Sequence, residues 1–162
     1  MRVDAGAIWD ISGGGSGFVN DGTVIVDGAL VFSAVTHDTG AQARIEVGNG
    51  GVADFAGPVG KGEAVVFTDD TGTVLLDRLG RFHGVFSIFR AGDTIDLVGK
   101  AADGFSFSNH HLIVTEQGAT VADLMFIALP IHPPKFALSL DGNGGTDITF
   151  VAPAAEFWTI KG

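Results

Sequence analysis

Short runs of alternating hydrophobic and polar residues follow one another along the chain, and glycine, asparagine and aspartate separate them. Runs of this length, rich in Val, Ile, Phe and Thr and bounded by turn-forming residues, are typical of β-strands. The pattern therefore predicts an all-β domain. The predicted strands are, in chain order, TVIVD, LVFSAV, ARIEV, VADFA, EAVVFT, TVLLD, VFSIF, TIDLV, FSFSN, HLIVT, FALSL and DITFV.

The predicted strands recur at a nearly constant spacing. One series of strand centres is Ile25, Ile45, Val66 and Phe86. A second, interleaved series is Val31, Val52, Val74, Ile95 and Ile113. A shared period of about 21 residues is typical of a solenoid, in which stacked coils share one apolar interior.

We therefore predict a right-handed parallel β-solenoid in which Val52, Val74 and Ile95 lie over one another. The alternative is an antiparallel β-sandwich, because regularly spaced strands also suit that architecture.

The end of the chain departs from the repeat. The segment 119–134 breaks the period, and its sequence ATVADLMFIALPI suits either a short helix at 120–129 or a buried strand. A hairpin pattern follows at 135–151. Because an open solenoid end exposes strand edges, we predict that the hairpin covers the end of the coils. The chain is then one domain, 1–162, with solenoid coils over about 20–115, an irregular segment at 119–134 and a capping hairpin at 135–151.

Composition and charge narrow the functional classes. The 162 residues are 46% hydrophobic and only 17% charged, so the chain can bury a core. Nine Lys and Arg stand against 19 Asp and Glu, and this formal charge of −10 argues against nucleic acid and anionic membrane surfaces. The lack of cysteine excludes disulfides and thiolate metal sites. No apolar run is long enough for a transmembrane helix, so we expect no membrane insertion.

Two motifs carry a resemblance to a known class of protein. They are FHGVFSIFRAGDTIDLVG at 82–99 and LSLDGNGGTDITF at 138–150. In this order they resemble β-solenoid modules of very large exported bacterial proteins, the autotransporter-like and adhesin-like proteins, and the stretch 50–77 is similar to their preceding coils.

The resemblance implies a secreted or cell-surface location and a role in adhesion or display. It carries over no catalytic residue. Because the first residues, MRVDAGAIWD, lack the apolar core of a signal peptide, we expect an exported chain of this sequence to be a mature form or a fragment.

The predicted hairpin brings two acids together. If Leu140 lies opposite Ile148, the apolar residues share one face, and the odd-length loop is centred on Gly144. Asp141 then lies opposite Asp147. Two like charges directly opposite each other destabilise a hairpin unless a cation lies between them.

Calcium is the cation that suits this loop. Asp141, Asn143 and Asp147 are the candidate oxygen ligands, together with loop carbonyl groups. The spacing D-x-N-x-G-x-D also opens like a helix–loop–helix calcium loop, although Ala152 stands where such a loop has a bidentate glutamate. The alternative is a glycine-rich hairpin whose acids diverge into water.

Two further acids are candidate catalytic residues. Cleavage of a glycosidic bond uses two carboxyl groups at a defined separation, one of them with a raised pKa. In DTIDLV, Ile95 and Leu97 point inward, so Asp96 points outward, and Asp93 lies at the bend. The pair would line a groove for a polysaccharide on one solenoid face, but any solvated face carries such acids.

Histidine and tryptophan side chains are the remaining candidates. His110 and His111 are adjacent, so on a strand they point to opposite faces and cannot both bind one ion. His132 lies in a proline-rich loop, and without cysteine or an H-x-x-x-H pattern a zinc site has little support. Trp9 and Trp158 would stack on sugar rings, although aromatics near chain ends more often cover a core.

These observations favour a non-enzymatic structural or adhesion module of a secreted or surface-displayed bacterial protein, with a carbohydrate or a surface protein as its partner. The alternatives are a polysaccharide-active β-helix enzyme, a lyase or hydrolase that uses Asp93 and Asp96, and a carbohydrate-binding module.

Overall fold

A computed structural model describes residues 1–11, 18–33, 36–37, 43–129 and 134–152. In these ranges no helix is long and apolar enough to cross a membrane. The 3₁₀ helix spans Leu79–Arg81, and the strands are β1 (Arg2–Val3), β2 (Ile8–Ile11), β3 (Phe18–Val19), β4 (Thr23–Val26), β5 (Ala29–Phe32), β6 (Thr36–His37), β7 (Arg44–Val47), β8 (Val52–Phe55), β9 (Ala64–Phe67), β10 (Thr73–Leu76), β11 (Val85–Ser87), β12 (Thr94–Leu97), β13 (Gly104–Ser108), β14 (His111–Glu116), β15 (Ala119–Ala128), β16 (Phe136–Leu140) and β17 (Thr146–Phe150).

Two large sheets form the body of the protein. The eight-stranded sheet has the order β1-β4-β7-β9-β11-β15-β14-β13, and the seven-stranded sheet has the order β16-β17-β12-β10-β8-β5-β2. From β1 to β12 the neighbouring strands of successive coils are parallel. For example, Thr73 pairs with Val52 of the preceding coil and with Thr94 of the following coil. The chain is therefore a β-solenoid with coils of about 21 residues, as predicted. Strands β3 and β6 pair in a short third sheet.

The inward-facing stack of the seven-stranded sheet differs by one residue from the prediction. It contains Leu30, Ala53, Val74 and Ile95. Val74 and Ile95 are in register as predicted, but Val52 lies beside Thr73 on the outer face, and its place in the predicted stack was wrong. Side chains alternate along a strand, and the spacing of strand centres alone did not resolve this difference of one residue.

The eight-stranded sheet shows the same kind of shift. Its inward stack contains Val24, Ile45, Val65 and Phe86. Ile25 and Val66, two of the predicted strand centres, face outward. Both lie in continuous apolar runs, in which either face is compatible with burial. Ile113 was also misplaced, because it belongs to β14 of this sheet.

Phenylalanine rings connect the coils to the C-terminal cap. The ring centroids of Phe67 and Phe86 are 6.2 Å apart, those of Phe86 and Phe126 are 5.4 Å apart, and those of Phe126 and Phe136 are 5.4 Å apart. All four side chains are buried. In the described part of the chain nine of the 13 phenylalanines are buried, so the core is rich in fully apolar rings, which have no hydroxyl group to satisfy.

The coils end at β12, earlier than the predicted boundary near 115. Strands β13, β14 and β15 pair antiparallel, and β15 then returns parallel to β11. Two-residue turns join them: Asn109–His110 with φ of 49° and 69°, and Gln117–Gly118 with φ of 50° and 81°. Positive φ at both central residues is the geometry of tight hairpins.

The segment 119–134 was wrongly predicted to be irregular over its first part. Residues 119–128 form β15, so the strand alternative for this stretch is confirmed and the helix alternative is wrong, because strands on both sides supply hydrogen bonds to it. Residues 130–133 lie outside the described part of the chain. The predicted hairpin at 135–151 is confirmed: β16 and β17 pair antiparallel, and β17 covers the edge of β12.

Candidate functional site

A row of aspartates crosses the outer face of the seven-stranded sheet. The register aligns Asp10, Val31, Asp54, Leu75, Asp96, Asp147 and Ser139 on the seven strands from β2 to β16. We call the four carboxylates, Asp10, Asp54, Asp96 and Asp147, the acidic row. Asp10, Asp54 and Asp96 lie on every second strand, and since neighbouring strands are about 4.8 Å apart, these three residues are about 10 Å apart. Asp147 lies directly beside Asp96.

The hairpin register that leads to this row is not the predicted one. Leu138, and not Leu140, lies opposite Ile148, and Phe136 lies opposite Phe150. This pairing buries the two large phenylalanine rings and leaves Leu140 71% exposed. Since a phenylalanine buries more apolar area than a leucine, the observed register has the larger hydrophobic gain.

The two acids of the predicted loop are consequently not opposite each other. Asp147 lies opposite Ser139 on one side and opposite Asp96 on the other. The opposition of like charges that the sequence predicted for Asp141 and Asp147 therefore occurs between Asp96 and Asp147. The structure thus brings one of the candidate catalytic residues into the neighbourhood of the candidate metal ligands.

The carboxyl groups of Asp54, Asp96 and Asp147 are partly buried and share a negatively charged environment. Burial, followed by the charges of Asp141, Asp147 and Asp77, raises the pKa of Asp96 to about 6. Burial and Asp141 also raise the pKa of Asp147.

The same effects extend to the next carboxylate along the row. Burial, with smaller contributions from Asp77 and Asp10, raises the pKa of Asp54. One oxygen of Asp54 and one of Asp96 are buried and have no hydrogen-bond partner. A buried carboxylate oxygen without a donor is costly, which agrees with the raised pKa of both carboxyl groups.

Asp93, the other candidate catalytic residue, has a structural position. Its side chain is 0% exposed, and its carboxylate accepts hydrogen bonds from the backbone N–H groups of Gly72 (3.2 Å) and Arg90 (2.8 Å). Burial outweighs these bonds and raises the pKa of Asp93 to about 6. Because Asp93 is enclosed at a coil corner and Asp96 lies on the outer face, the two do not line one groove.

Asp93 belongs to a series of polar contacts that joins the corners of successive coils. Asn49 donates to Asp27 from its side chain (2.7 Å) and to Asp69 from its backbone (2.6 Å). Thr71 accepts from Gly50 N–H and donates to Asp69. Asp69, Thr71 and Asp93 thus accept hydrogen bonds from backbone N–H groups of neighbouring coils, and this gives the aspartates at these bends a structural role.

The loop 141–145 is closed by its own hydrogen bonds. Asp141 Oδ1 accepts from the N–H groups of Asn143 (2.6 Å) and Gly145 (2.9 Å). Within the described ranges, no three histidine, aspartate or glutamate side chains are grouped so that they could hold a metal ion. Calcium binding by Asp141, Asn143 and Asp147 stays a prediction.

The structure describes three of the histidine and tryptophan candidates, His110, His111 and Trp9. His110 lies in a turn, whereas His111 begins β14 and places Nδ1 2.7 Å from Asp123 Oδ1. A small cavity beside them is also lined by His83 and Lys61. Trp9 is half-exposed at the first coil. The other two candidates, His132 and Trp158, fall in stretches that the structure does not describe.

Sequence reasoning missed two of the four carboxylates of the acidic row. It considered Asp96 and Asp147 for separate sites and passed over Asp10 and Asp54. A signal was present, since Asp54 and Asp96 are separated by two repeat lengths and each has inward-facing apolar residues on both sides. Asp147 could not be added in this way, because a hairpin rather than the repeat brings it to the row.

The chain was also compared with known proteins. No protein-family model matches it, and no curated protein and no solved structure matches it either.

Proposed function

We propose that this chain is a non-enzymatic structural and adhesion module of a secreted or surface-displayed protein, and that it binds its partner through the outer face of the seven-stranded sheet. The acidic row is the observation that carries this proposal. Neighbouring strands of one sheet hold its carboxylates at fixed positions, three on the coils and Asp147 on the hairpin, whereas exposed acids on loops have no fixed spacing.

The chemistry of the row favours a basic protein surface as the partner. Asp54 and Asp96 are partly exposed, and carboxylates accept hydrogen bonds from lysine or arginine more strongly than from neutral donors. The chain's charge of −10 also speeds the approach of a basic partner. A neutral glycan would gain neither advantage.

The resemblance of 82–99 and 138–150 to exported adhesin-like modules supports the proposed location. Both motifs contribute to the row, because the first contains β12 with Asp96 and the second contains β17 with Asp147. Three of the four carboxylates of the row, those of Asp54, Asp96 and Asp147, therefore lie in the part of the chain that resembles those modules, and Asp10 lies outside it.

The test uses a peptide with the periodicity of the row. A polyproline II helix rises about 3.1 Å per residue with three residues per turn, so Lys-Pro-Pro repeats place lysines on one face at about 9 Å intervals. A peptide of the same composition with irregular lysine spacing is the matched control. We expect the regular peptide to bind more tightly at physiological salt, as measured by calorimetry.

Two triple variants distinguish peptide binding by the acidic row from peptide binding by the overall negative charge. Asp54→Asn, Asp96→Asn and Asp147→Asn remove three charges from the row, and we expect a loss of binding of at least about tenfold, equivalent to about 1.4 kcal/mol. Asp4→Asn, Asp70→Asn and Glu116→Gln remove three charges elsewhere and should have a small effect. Equal losses in both variants, or no preference for the regular peptide, would contradict the proposal.

A polysaccharide-cleaving enzyme is the second candidate. The observation that favours it is the position of Asp96, with a pKa raised to about 6, directly opposite Asp147 on the next strand, because such cleavage requires a protonated and an ionised carboxyl group. Incubation with polygalacturonate and alginate tests it. Release of unsaturated or reducing ends that Asp96→Asn and Asp147→Asn both abolish would replace the adhesion proposal.

A further inference from the structure

The tetrapeptide Gly-Asn-Gly-Gly occurs twice in the chain, at 48–51 and at 142–145. The first copy places Asn49 between β7 and β8, and the second places Asn143 between β16 and β17. Both asparagines are exposed. Because their immediate neighbours are identical, a difference in chemical reactivity between the two asparagines has to come from the fold.

An asparagine that precedes a glycine can react with its own backbone. The backbone nitrogen of the glycine loses its proton and attacks Cγ of the asparagine. The new C–N bond closes a succinimide ring, and the side-chain nitrogen takes up a proton and leaves as ammonia. Water then opens the ring to give aspartate or isoaspartate. Glycine favours this reaction because it has no side chain to shield the attacking nitrogen.

At the first copy, both reacting groups are held by hydrogen bonds. The side-chain amide of Asn49 donates to Asp27 of the preceding coil (2.7 Å). The backbone N–H of Gly50, which contains the attacking nitrogen, donates to Thr71 Oγ1 of the following coil (2.8 Å). Asp27 is itself buried and ion-paired with Arg2 (2.6 Å). For the nitrogen to reach Cγ, the hydrogen bonds to the coils on both sides have to break.

At the second copy, the same two groups are not held. Among the described residues, no hydrogen bond involves the side chain of Asn143 or the backbone N–H of Gly144. The backbone N–H of Asn143 donates to Asp141 Oδ1 (2.6 Å), which leaves its side chain free to turn. Gly144 has a φ of 90°, and nothing lies within 4 Å of a Cβ built on it. The loop therefore has room to bring the Gly144 nitrogen to Cγ of Asn143.

We propose that Asn143 is a site of spontaneous deamidation, through a succinimide formed with the backbone nitrogen of Gly144, and that the fold protects Asn49 from the same reaction. The product adds one negative charge to the loop 141–145. Isoaspartate also adds a carbon atom to the backbone between Asp141 and Gly145, whose N–H and C=O groups close the loop (3.3 Å). The hairpin that covers β12 therefore changes in charge and in loop length as the protein ages.

Peptide mapping of the whole folded chain tests the proposal. Trypsin places Asn49 in peptide 45–61 and Asn143 in peptide 136–161, and neither peptide contains another asparagine or a glutamine. After incubation at mildly alkaline pH, mass spectrometry measures the replacement of NH₂ by OH in each peptide over time. We expect deamidation to be at least about tenfold faster at Asn143, because two hydrogen bonds protect the other site. Equal rates, or a faster reaction at Asn49, overturn the proposal.

Two further measurements show whether the fold causes the difference. In urea, where the chain is unfolded, the two identical tetrapeptides should react at similar rates. A preference for Asn143 that persists in urea would assign the difference to sequence and overturn the proposal. Thr71→Val removes the acceptor for Gly50 N–H, so in the folded variant, checked by circular dichroism, Asn49 should deamidate faster than in wild type. An unchanged rate at Asn49 would contradict the described protection.

Discussion

Asp96 and Asp147 lie directly opposite each other on the antiparallel strands β12 and β17. Burial and the neighbouring acids raise the pKa of both carboxyl groups, that of Asp96 to about 6. Directly opposed like charges destabilise a sheet, so this pair is kept at a cost to stability. Such a cost is expected where a surface is shaped by binding rather than by folding.

The raised pKa of Asp96 predicts a pH dependence of stability. The unfolded chain has the ordinary aspartate pKa of 3.8, so between about pH 4 and pH 6 the folded state binds more protons than the unfolded state. The contribution of Asp96 to the free energy of unfolding is fully present below pH 4 and is lost as the pH rises through 6. We expect the melting temperature to fall from pH 5 to pH 7, with Asp93 acting in the same direction.

Asp96→Asn identifies the part of this dependence that comes from the row. Because Asp96 is partly solvated, we expect a gain of about 1 kcal/mol in the free energy of unfolding at pH 7 and almost none at pH 4.5. Urea denaturation at the two pH values measures both. Asp70→Asn, at an exposed position, is the control. A gain of the same size at both pH values would show that the charge of Asp96 is not the cause.

Asp93→Ala should destabilise the fold. It removes the acceptor for the backbone N–H groups of Gly72 and Arg90 and leaves these donors without a partner. We expect a loss of about 2–3 kcal/mol at neutral pH. Asp93→Asn keeps one acceptor oxygen and should lose less. If Asp93→Ala unfolds at the same urea concentration as wild type, the corner contacts do not contribute as described.

Gly51→Ala tests the close stacking of coils. A Cβ atom at Gly51 would overlap the carbonyl oxygen of Val26 in the preceding coil, and that backbone cannot move without breaking the stack. We expect a loss of about 3 kcal/mol or more in the free energy of unfolding. Gly22→Ala is the matched control, since nothing lies within 4 Å of its added Cβ. Equal effects at the two positions would contradict the described spacing.

Calcium titration tests the loop 141–145. Because Asp141 Oδ1 already accepts two loop N–H groups, we expect millimolar calcium to change the melting temperature no more than magnesium does. A larger rise with calcium, abolished by Asp141→Asn with Asp147→Asn but retained in Asp70→Asn, would instead establish the calcium site.

Local pattern was sufficient for the architecture and for some side-chain directions. The repeat period follows from the spacing of the strand centres, and the stacking of Val74 over Ile95 agrees with it. Asp96 points outward, as the apolar residues on either side of it require. The C-terminal hairpin follows from two apolar runs around a glycine-rich break.

Local pattern was insufficient where several arrangements bury the same residues. In β16 and β17, two registers keep leucines and isoleucines on one face, and the pairing of Phe136 with Phe150 selects between them. The turn at Asn109–His110 has no glycine, and positive φ at both residues was therefore not expected. Strand β15 depends on partners on both sides, which no short window of sequence contains.

By itself, the sequence determined that this protein is a stack of coils with a hairpin at its end, because repeat length and apolar alternation are local properties of the chain. The tertiary structure alone decided that Asp93 is enclosed and that Asp96 meets Asp147. These outcomes depend on burial and on contacts between residues far apart in the chain, and they are settled only when the sheets have packed.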